Sequence, residues 1–558
     1  MQTKKPVVLL IRDGWGIGDG SKGDAVAAAD TPHFHHLLAN YPHCTIAAAG
    51  EPVGVRAGAQ GSSEVGHLNM GAGRIVMQEV VRVDHMIRSG ELFETPLMIQ
   101  ALENCKKNGS ALHLMGLIQD QGVHAVQDHL YSFLEWAAKQ GLTRVNVHFF
   151  SDGRDTPPQS ALTYLEQLEQ KMAQYGVGRV ASVMGRYYAM DRGKNYDRTQ
   201  QAFEALMHGK GLRAKSAREA IEQAYERANN HQGGDIPPET DEFILPTLIE
   251  DENGDCCGII RPHDTVIHTN FRQDRAIQLT QAFVEPDFNE FDRGPVPDVL
   301  YAGLTRYYDE FTQAIIPPMN MANLLGKVLS DHGLWQLRIA EYQKYRHVTS
   351  FFNGKLVAPF PKEDRVLVDS ISIPENQQPE MSVYEVTDVV LEAINGSIES
   401  LRKKARSTEK VSLQLEEHSV EGGDRLKQTY DFIAINFANC DMVGHTGVFD
   451  AVVKAVEAVD ACVKQVCDAV LARDGIVMVT ADHGNAEQMI DPETGGIQTS
   501  HTTNDVHLFW VSNDADSCNL VDHGKLSDIA VTILELMEIP VPAEMTATSL
   551  LKPCEQAV

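Results

Sequence analysis

Along nearly the whole chain, short apolar runs alternate with amphipathic stretches, and no fixed-period repeat or low-complexity tract interrupts them. Runs too short for buried helices, spaced by segments long enough to be helices, build a largely parallel sheet packed between helical layers. The expected fold class is therefore α/β. Residues 6–11, 111–117, 144–150, 179–184, 264–270, 431–437 and 475–481 read as strands, and 159–174 as one of the helices between them. No run approaches the roughly 20 apolar residues that a membrane helix needs. Val7 to Ile11, after two lysines, is too short for the core of a secretory signal. A cytoplasmic protein is the expectation, with no membrane partner. Nine scattered cysteines without a C-x-x-C pattern predict reduced thiols and no disulfide framework.

Charge narrows the partners. The 48 Lys and Arg against 77 Asp and Glu give a formal charge of −29. Such a chain repels nucleic acid and anionic lipid unless it gathers its bases into a patch. What the 22 histidines do depends on the aspartates beside them.

Three predicted strands deliver an aspartate at or just beyond their ends: Asp13 after VVLLIR, Asp441 after FIAINFANC and Asp482 after IVMVTA. In an open parallel sheet the carboxyl edge is where ligands bind. Asp441 and His445 are four residues apart, so one helical turn puts both on one face. Asp482 and His483 are adjacent at a strand-to-loop junction, and His501 offers a further imidazole. A mixed Asp/His set suits borderline metals such as Mn²⁺, Zn²⁺ or Co²⁺, and together these pairs favour a two-metal site. Ser63, in a small-residue loop that feeds a helix, is ordinarily a cap. The functional alternative is a nucleophile activated by a metal on Asp13, Asp482 and His483.

The middle of the chain differs. It places Arg154 and Asp155, Arg186 and Arg192, Arg272 and Arg275, and His124 after predicted strands. Guanidinium forks on a common sheet edge of an acidic chain predict a focused anion site. Breaks near Gly71 to Met77 and Ile315 to Asn323 bracket this segment. Residues 234–257, with eight acids and no base, and roughly 395–430 are expected as surface insertions.

RDGWG (12–16), SEVGH (63–67), GAGR (71–74), SDGRDTPP (151–158), GRYYAMDR (185–192), FRQDRAIQL (271–279), QPEMS (378–382), DMVGHTG (441–447) and ADHGN (481–485) together resemble the cofactor-independent phosphoglycerate mutases of the alkaline phosphatase superfamily. The resemblance spans almost the whole chain. It implies a discontinuous alkaline-phosphatase-like domain, residues 1–78 and 320–558, with an α/β transferase domain of residues 79–319 inserted in it. It further implies a glycolytic isomerase that interconverts 3- and 2-phosphoglycerate through a phosphoserine on Ser63. Two divalent ions, Mn²⁺ foremost with Mg²⁺, Co²⁺ or Zn²⁺ as alternatives, would be held by Asp441, His445 and His501 and by Asp13, Ser63, Asp482 and His483. His124, Arg154, Asp155, Arg186, Arg192, Arg272 and Arg275 would bind the phosphoglycerate, with Asp155 moving protons. Lys344 would reach the phosphoryl group. The implied enzyme is a monomer that needs no 2,3-bisphosphoglycerate. A metal-dependent phosphatase or phosphopentomutase would share the metal set without needing the arginine motifs, and a metal-binding scaffold would need neither Ser63 nor Lys344. Ser62 and Gln343 stand where the family pattern has Asn and Glu.

Overall fold

Val7–Arg12 is buried at every position, as a strand covered on both faces must be. It lies inside a nine-stranded sheet whose order is Val411–Gln414, Glu363–Val368, Gln336–Glu341, Phe432–Phe437, Val7–Arg12, Ile476–Thr480, Val506–Val511, His43–Ala47 and His523–Lys525. The five strands from Glu363–Val368 to Ile476–Thr480 run parallel. The flanking Val411–Gln414 and Val506–Val511 are antiparallel to their neighbours. Phe449–Leu471, the longest helix, buries Val452, Val456, Val459, Val463, Val466 and Val470 at helical spacing in the core around this sheet.

A second sheet of eight strands runs Ala314–Ile316, Leu300–Thr305, Thr265–His268, Leu112–Leu117, Val145–Ser151, Arg179–Gly185, Thr247–Ile249 and Leu212–Ala214. All pairings are parallel except that of Thr247–Ile249 with Arg179–Gly185. The computed structural model describes residues 6–230, 238–414, 427–515 and 519–552. The chain divides into two compact units, residues 1–78 with 320–558 and residues 79–319, each built on one of the sheets. Among the described residues no helix is long and apolar enough to cross a membrane.

The two expected surface insertions are so only in part. In 234–257, Thr247–Ile249 is a fully buried strand of the second sheet. Asp241, no longer a solvated acid, is buried and accepts from the backbone of Ser160 at 2.7 Å and of Ala161 at 2.9 Å. Residues 231–237 lie outside the described set. In 395–430, Ile398–Ser407 is a helix with a capping box at Ser397, and Val411–Gln414 is an edge strand; residues 415–426 lie outside the described set. Acid count predicted solvation, but a carboxylate can be buried wherever backbone donors meet it.

The second sheet buries His113, His148 and His268. Burial takes His268 down to about 3. Burial, then the neighbouring His113, holds His148 well below the ordinary imidazole range. Burial also lowers His113, against the pull of Asp264. In the unfolded chain these rings take up protons near pH 6.5, so below that pH the unfolded state binds more protons than the folded one. Stability of this unit is therefore full above pH ~6.5 and falls as the pH drops toward 3, by about 1.4 kcal/mol for each unit of separation at a fully buried ring. Hydrogen exchange of residues 112–117 and 145–151 should quicken, after correction for intrinsic rates, between pH 7 and 5. Unchanged protection over that range would contradict it.

Candidate metal centre and anion site

Asp13 follows Val7–Arg12, Asp482 follows Ile476–Thr480, Asp441 lies in the short helix after Phe432–Phe437, and Lys344 lies in the helix after Gln336–Glu341. These strands are parallel neighbours, so their carboxyl ends bring the four groups to one place. Two glycines permit the convergence. A Cβ on Gly14, whose φ is +80°, would stand 2.6 Å from Asp441 N, and one on Gly66 would stand 2.8 Å from Asp482 Cβ. Gly66 is in the helix Ser63–Ala72, whose close approach to Asp482 sets Ser63 into the cluster. Ser62 caps that helix, its Oγ accepting from Val65 N at 3.3 Å; Ser63 is thus free of the capping role and is buried.

Lys344 Nζ donates to Ser63 Oγ at 2.6 Å, Asp441 Oδ2 at 2.6 Å and Asp13 Oδ1 at 2.8 Å. Ser63 Oγ is also 2.9 Å from His483 Nε2 and 3.2 Å from Asp13 Oδ1. Burial is the largest single influence on Asp13 and Asp441 and opposes their ionisation, but the Lys344 ammonium together with the neighbouring histidines, His483 at Asp13 and His445, His501 and His483 at Asp441, outweighs it and holds both well below the usual carboxylate range. The same carboxylates overcome burial at Lys344 and raise it above the ordinary lysine value. At His483, Asp482, Asp13 and Asp441 together reverse the effect of burial and carry the ring up to about 10. Such a dense set of charges at full burial is costly unless every one is compensated.

The donor chemistry fits divalent cations. His445 Nδ1 donates to Thr499 O at 2.7 Å and His501 Nδ1 to Gly61 O at 2.9 Å, which aims both Nε2 atoms at one point. There they lie 3.2 Å from each other and 3.2 and 3.0 Å from Asp441 Oδ1. Two imidazole nitrogens and a carboxylate oxygen gathered about one point are a donor set that a divalent cation can bind. Asp482 Oδ2 is buried without a hydrogen-bond donor. His67 Nδ1 is only 3.2 Å from it but is spent on Ser63 O at 2.8 Å. Asp441, His483 and His501 form one compact ligand group, and Asp13, Asp482 and His483 another. All eight candidates of this unit are thus brought together, with His483 belonging to both groups.

In the other unit, Arg186 NH1 bridges Asp155 Oδ2 at 2.6 Å and Asp152 Oδ1 at 2.7 Å. Arg192 and Arg272 both reach Asp274, whose Oδ1 is 3.6 Å from His124 Nδ1. Arg154 Nε donates to Glu242 Oε1 at 2.9 Å and Arg275 NH1 to Met190 O at 3.1 Å. Burial, then the guanidiniums of Arg186, Arg192 and Arg154, lowers Arg275, so the cations converge. Burial and Arg186 take His124 down to about 4, leaving a neutral ring among arginines. Buried Arg186 Nε and His124 Nδ1 have no hydrogen-bond partner; unspent donors of this kind suit a bound anion.

Sequence reasoning missed the carboxylates that hold these arginines, Asp152, Asp274 and Glu242, and the supports His67 and Asn436. His67, four residues after Ser63, had the helical spacing that signals a shared face. Asn436 was a polar residue at the centre of an apolar run, and it donates to Asp13 Oδ2 at 2.7 Å.

A model of the BPG-independent PGAM N-terminus family matches residues 83–309, and a model of the metalloenzyme superfamily matches residues 412–541. The chain is 44% identical over 552 residues to a 2,3-bisphosphoglycerate-independent phosphoglycerate mutase of Clostridium perfringens, covering 98% of this chain and 99% of the relative. It is 43% identical over 553 residues to such a mutase of Methanosarcina barkeri, covering 99% of each. The solved structure of Leishmania mexicana phosphoglycerate mutase at low cobalt concentration is similar at 31% identity and a TM-score of 0.53, with 98% of both chains covered. With strand-end aspartates and histidines arranged for divalent metal, a discontinuous α/β architecture and full-length identity of this order, the chain belongs to the metal-dependent 2,3-bisphosphoglycerate-independent phosphoglycerate mutases.

Proposed function

We propose that the chain interconverts 3- and 2-phosphoglycerate by two successive phosphoryl transfers through Ser63, without 2,3-bisphosphoglycerate. Two divalent cations, Mn²⁺ foremost, would be held by Asp441, His445 and His501 and by Asp13, Ser63, Asp482 and His483. The observation that carries this reading is the position of Ser63 Oγ, buried and within 2.6–3.2 Å of Lys344, His483 and Asp13. A serine hydroxyl is a weak nucleophile until its anion is stabilised. Bound divalent cations supply Lewis-acid stabilisation of that anion and of the phosphoryl oxygens.

The residues of the chain do the rest. The Ser63 oxygen, which enters and leaves the cycle as its stabilised anion, forms a bond to phosphorus as the bond to the glycerate 3-oxygen breaks, and Asp155, protonated at the outset, gives its proton to that oxygen. Lys344, with three acceptors already arrayed around its ammonium, stabilises the charge that spreads over the transferring group. Arg154, Arg186, Arg192, Arg272, Arg275 and His124 hold the carboxylate and hydroxyls of glycerate while it reorients. Asp155 then takes the proton of the 2-hydroxyl, the 2-oxygen attacks the phosphoserine, and the Ser63–phosphorus bond breaks. Residues 1–78 and 320–558 act as the phosphatase part and residues 79–319 as the transferase part. As a glycolytic enzyme it is placed in the cytoplasm, as a monomer.

Acid quenching of metal-loaded enzyme during turnover, followed by peptide mass spectrometry, should find phosphate on Ser63 and on no other serine. Steady turnover with no phosphopeptide trapped at any quench time would sink the covalent route.

A further inference from the structure

The amino edge of the second sheet carries a cavity of about 420 Å³ lined by Arg144, Arg179, Arg261, Asn146, Asp264 and Cys256, among others. It lies where Leu112–Leu117, Val145–Ser151, Arg179–Gly185 and Thr265–His268 begin. Asp155, Arg186 and Arg272 follow the opposite ends of such strands, so a ligand here is distinct from the substrate of the mutase reaction.

Many other arginines of this unit are paired. Arg154, Arg186, Arg192, Arg198, Arg213 and Arg227 each reach a carboxylate. At the cavity, Arg144 NH1 donates to Gly109 O at 2.8 Å and Arg179 Nε to Asn146 Oδ1 at 2.9 Å. Among the described residues none of the three cavity arginines forms an ion pair, in a chain with 77 acidic residues. The one carboxylate in the lining is already used. Asp264 Oδ1 accepts from Ala111 N at 2.7 Å, and Oδ2 from Arg261 N at 2.8 Å and His113 Nε2 at 3.2 Å.

The floor is rigid. His113 Nδ1 meets His148 Nε2 at 2.9 Å, and His148 Nδ1 meets Ser182 Oγ at 2.8 Å. This hydrogen-bonded row from Asp264 crosses three adjacent strands, reaching the middle of Val145–Ser151 and Arg179–Gly185, and is buried throughout. The volume falls in the range of small-metabolite sites, about 300–1,000 Å³, larger than a lone halide or nitrate needs.

We propose that this cavity is a second anion site, which binds a small oxyanion of two or more charges, a phosphate or a carboxylate compound, on Arg144, Arg179 and Arg261. Three planar forks match the oxygens of such an anion, and the opposite charge of the rest of the chain leaves this the favourable place for it.

The test is equilibrium dialysis of the metal-loaded full chain against inorganic phosphate in one arm and succinate in the other, with wild type and R144Q/R179Q/R261Q compared so that anion held in the unaltered catalytic site cancels. Wild type should retain about one anion per chain more than R144Q/R179Q/R261Q, which should bind that anion at least about tenfold more weakly, as loss of charge-assisted hydrogen bonds predicts. Mutase kcat of the variant should stay within about twofold of wild type, since no catalytic group is touched. Phosphate or succinate retained preferentially identifies the class of the ligand, and either supports the site. Arg261→Gln alone, which removes a side chain without a hydrogen bond to the described residues, gives a smaller loss of the same sign if the triple variant folds poorly. Retention of neither anion, or equal binding by wild type and both variants, would overturn the proposal. Because the readout is anion retention, it stands apart from any failure of turnover.

Discussion

Replacing Ser63 by alanine should reduce phosphoglycerate interconversion by roughly 10⁴-fold or more, as loss of a covalent nucleophile does in enzymes whose catalytic groups act as a unit. The hydroxyl removed is buried and bonded to Lys344, His483 and Asp13, yet the contacts of Lys344 with Asp13 and Asp441 do not pass through it. The carboxylate framework therefore survives the substitution. Metal content, measured by atomic emission, should remain near that of wild type, and kcat should fall without a matching rise in KM. Retained turnover in a metal-loaded Ser63→Ala protein would eliminate the nucleophile, and a folded variant that had lost its metal would transfer the effect to metal binding.

Exhaustive chelation should abolish the reaction, and Mn²⁺ should restore it. The Nε2 atoms of His445 and His501 gathered on Asp441 and the donor-free oxygen of Asp482 offer ligands for a cation, a role that Lys344, bound to Asp13 and Asp441, does not fill. A thermal readout accompanies the kinetic one. A ligand at 100 times its Kd stabilises the folded state by about 2.7 kcal/mol, so the chelated protein should melt at a lower temperature and recover on reloading. Parallel titrations with Mg²⁺, Co²⁺ and Zn²⁺ rank the metals by kcat. Full activity in protein shown to be free of divalent ions would refute the metal-dependent route.

Much of the site is legible in the order of the amino acids. Asp13, Asp441 and Asp482 end or follow apolar runs, and the parallel order of those runs is what makes strand ends converge. His445 sits one helical turn from Asp441. The arginines follow strands too, but the carboxylates that hold them are not legible, because Asp152, Asp274 and Glu242 are ordinary acids in an acidic chain until their distances to Arg186, Arg192 and Arg154 are known.

Lys344 shows the other limit. Its strand, QLRIAE, does not read as an apolar run because Arg338 stands in the middle of it. That arginine is buried, with its guanidinium 4.7 Å from the ring of Phe352 and 5.0 Å from that of Phe432. The residues before and after it could not announce a strand, since the rings that make burial of the charge tolerable come from distant parts of the chain. The same holds for Thr247–Ile249, set in an acidic stretch and carried into the sheet by pairing with Arg179–Gly185. By itself the sequence determined the α/β class and the strand-end acids, because apolar periodicity records which consecutive residues are buried. Only the tertiary structure decided which charged groups are buried with them and which partner each one meets, because compensation of a buried charge is a contact between residues far apart in the chain.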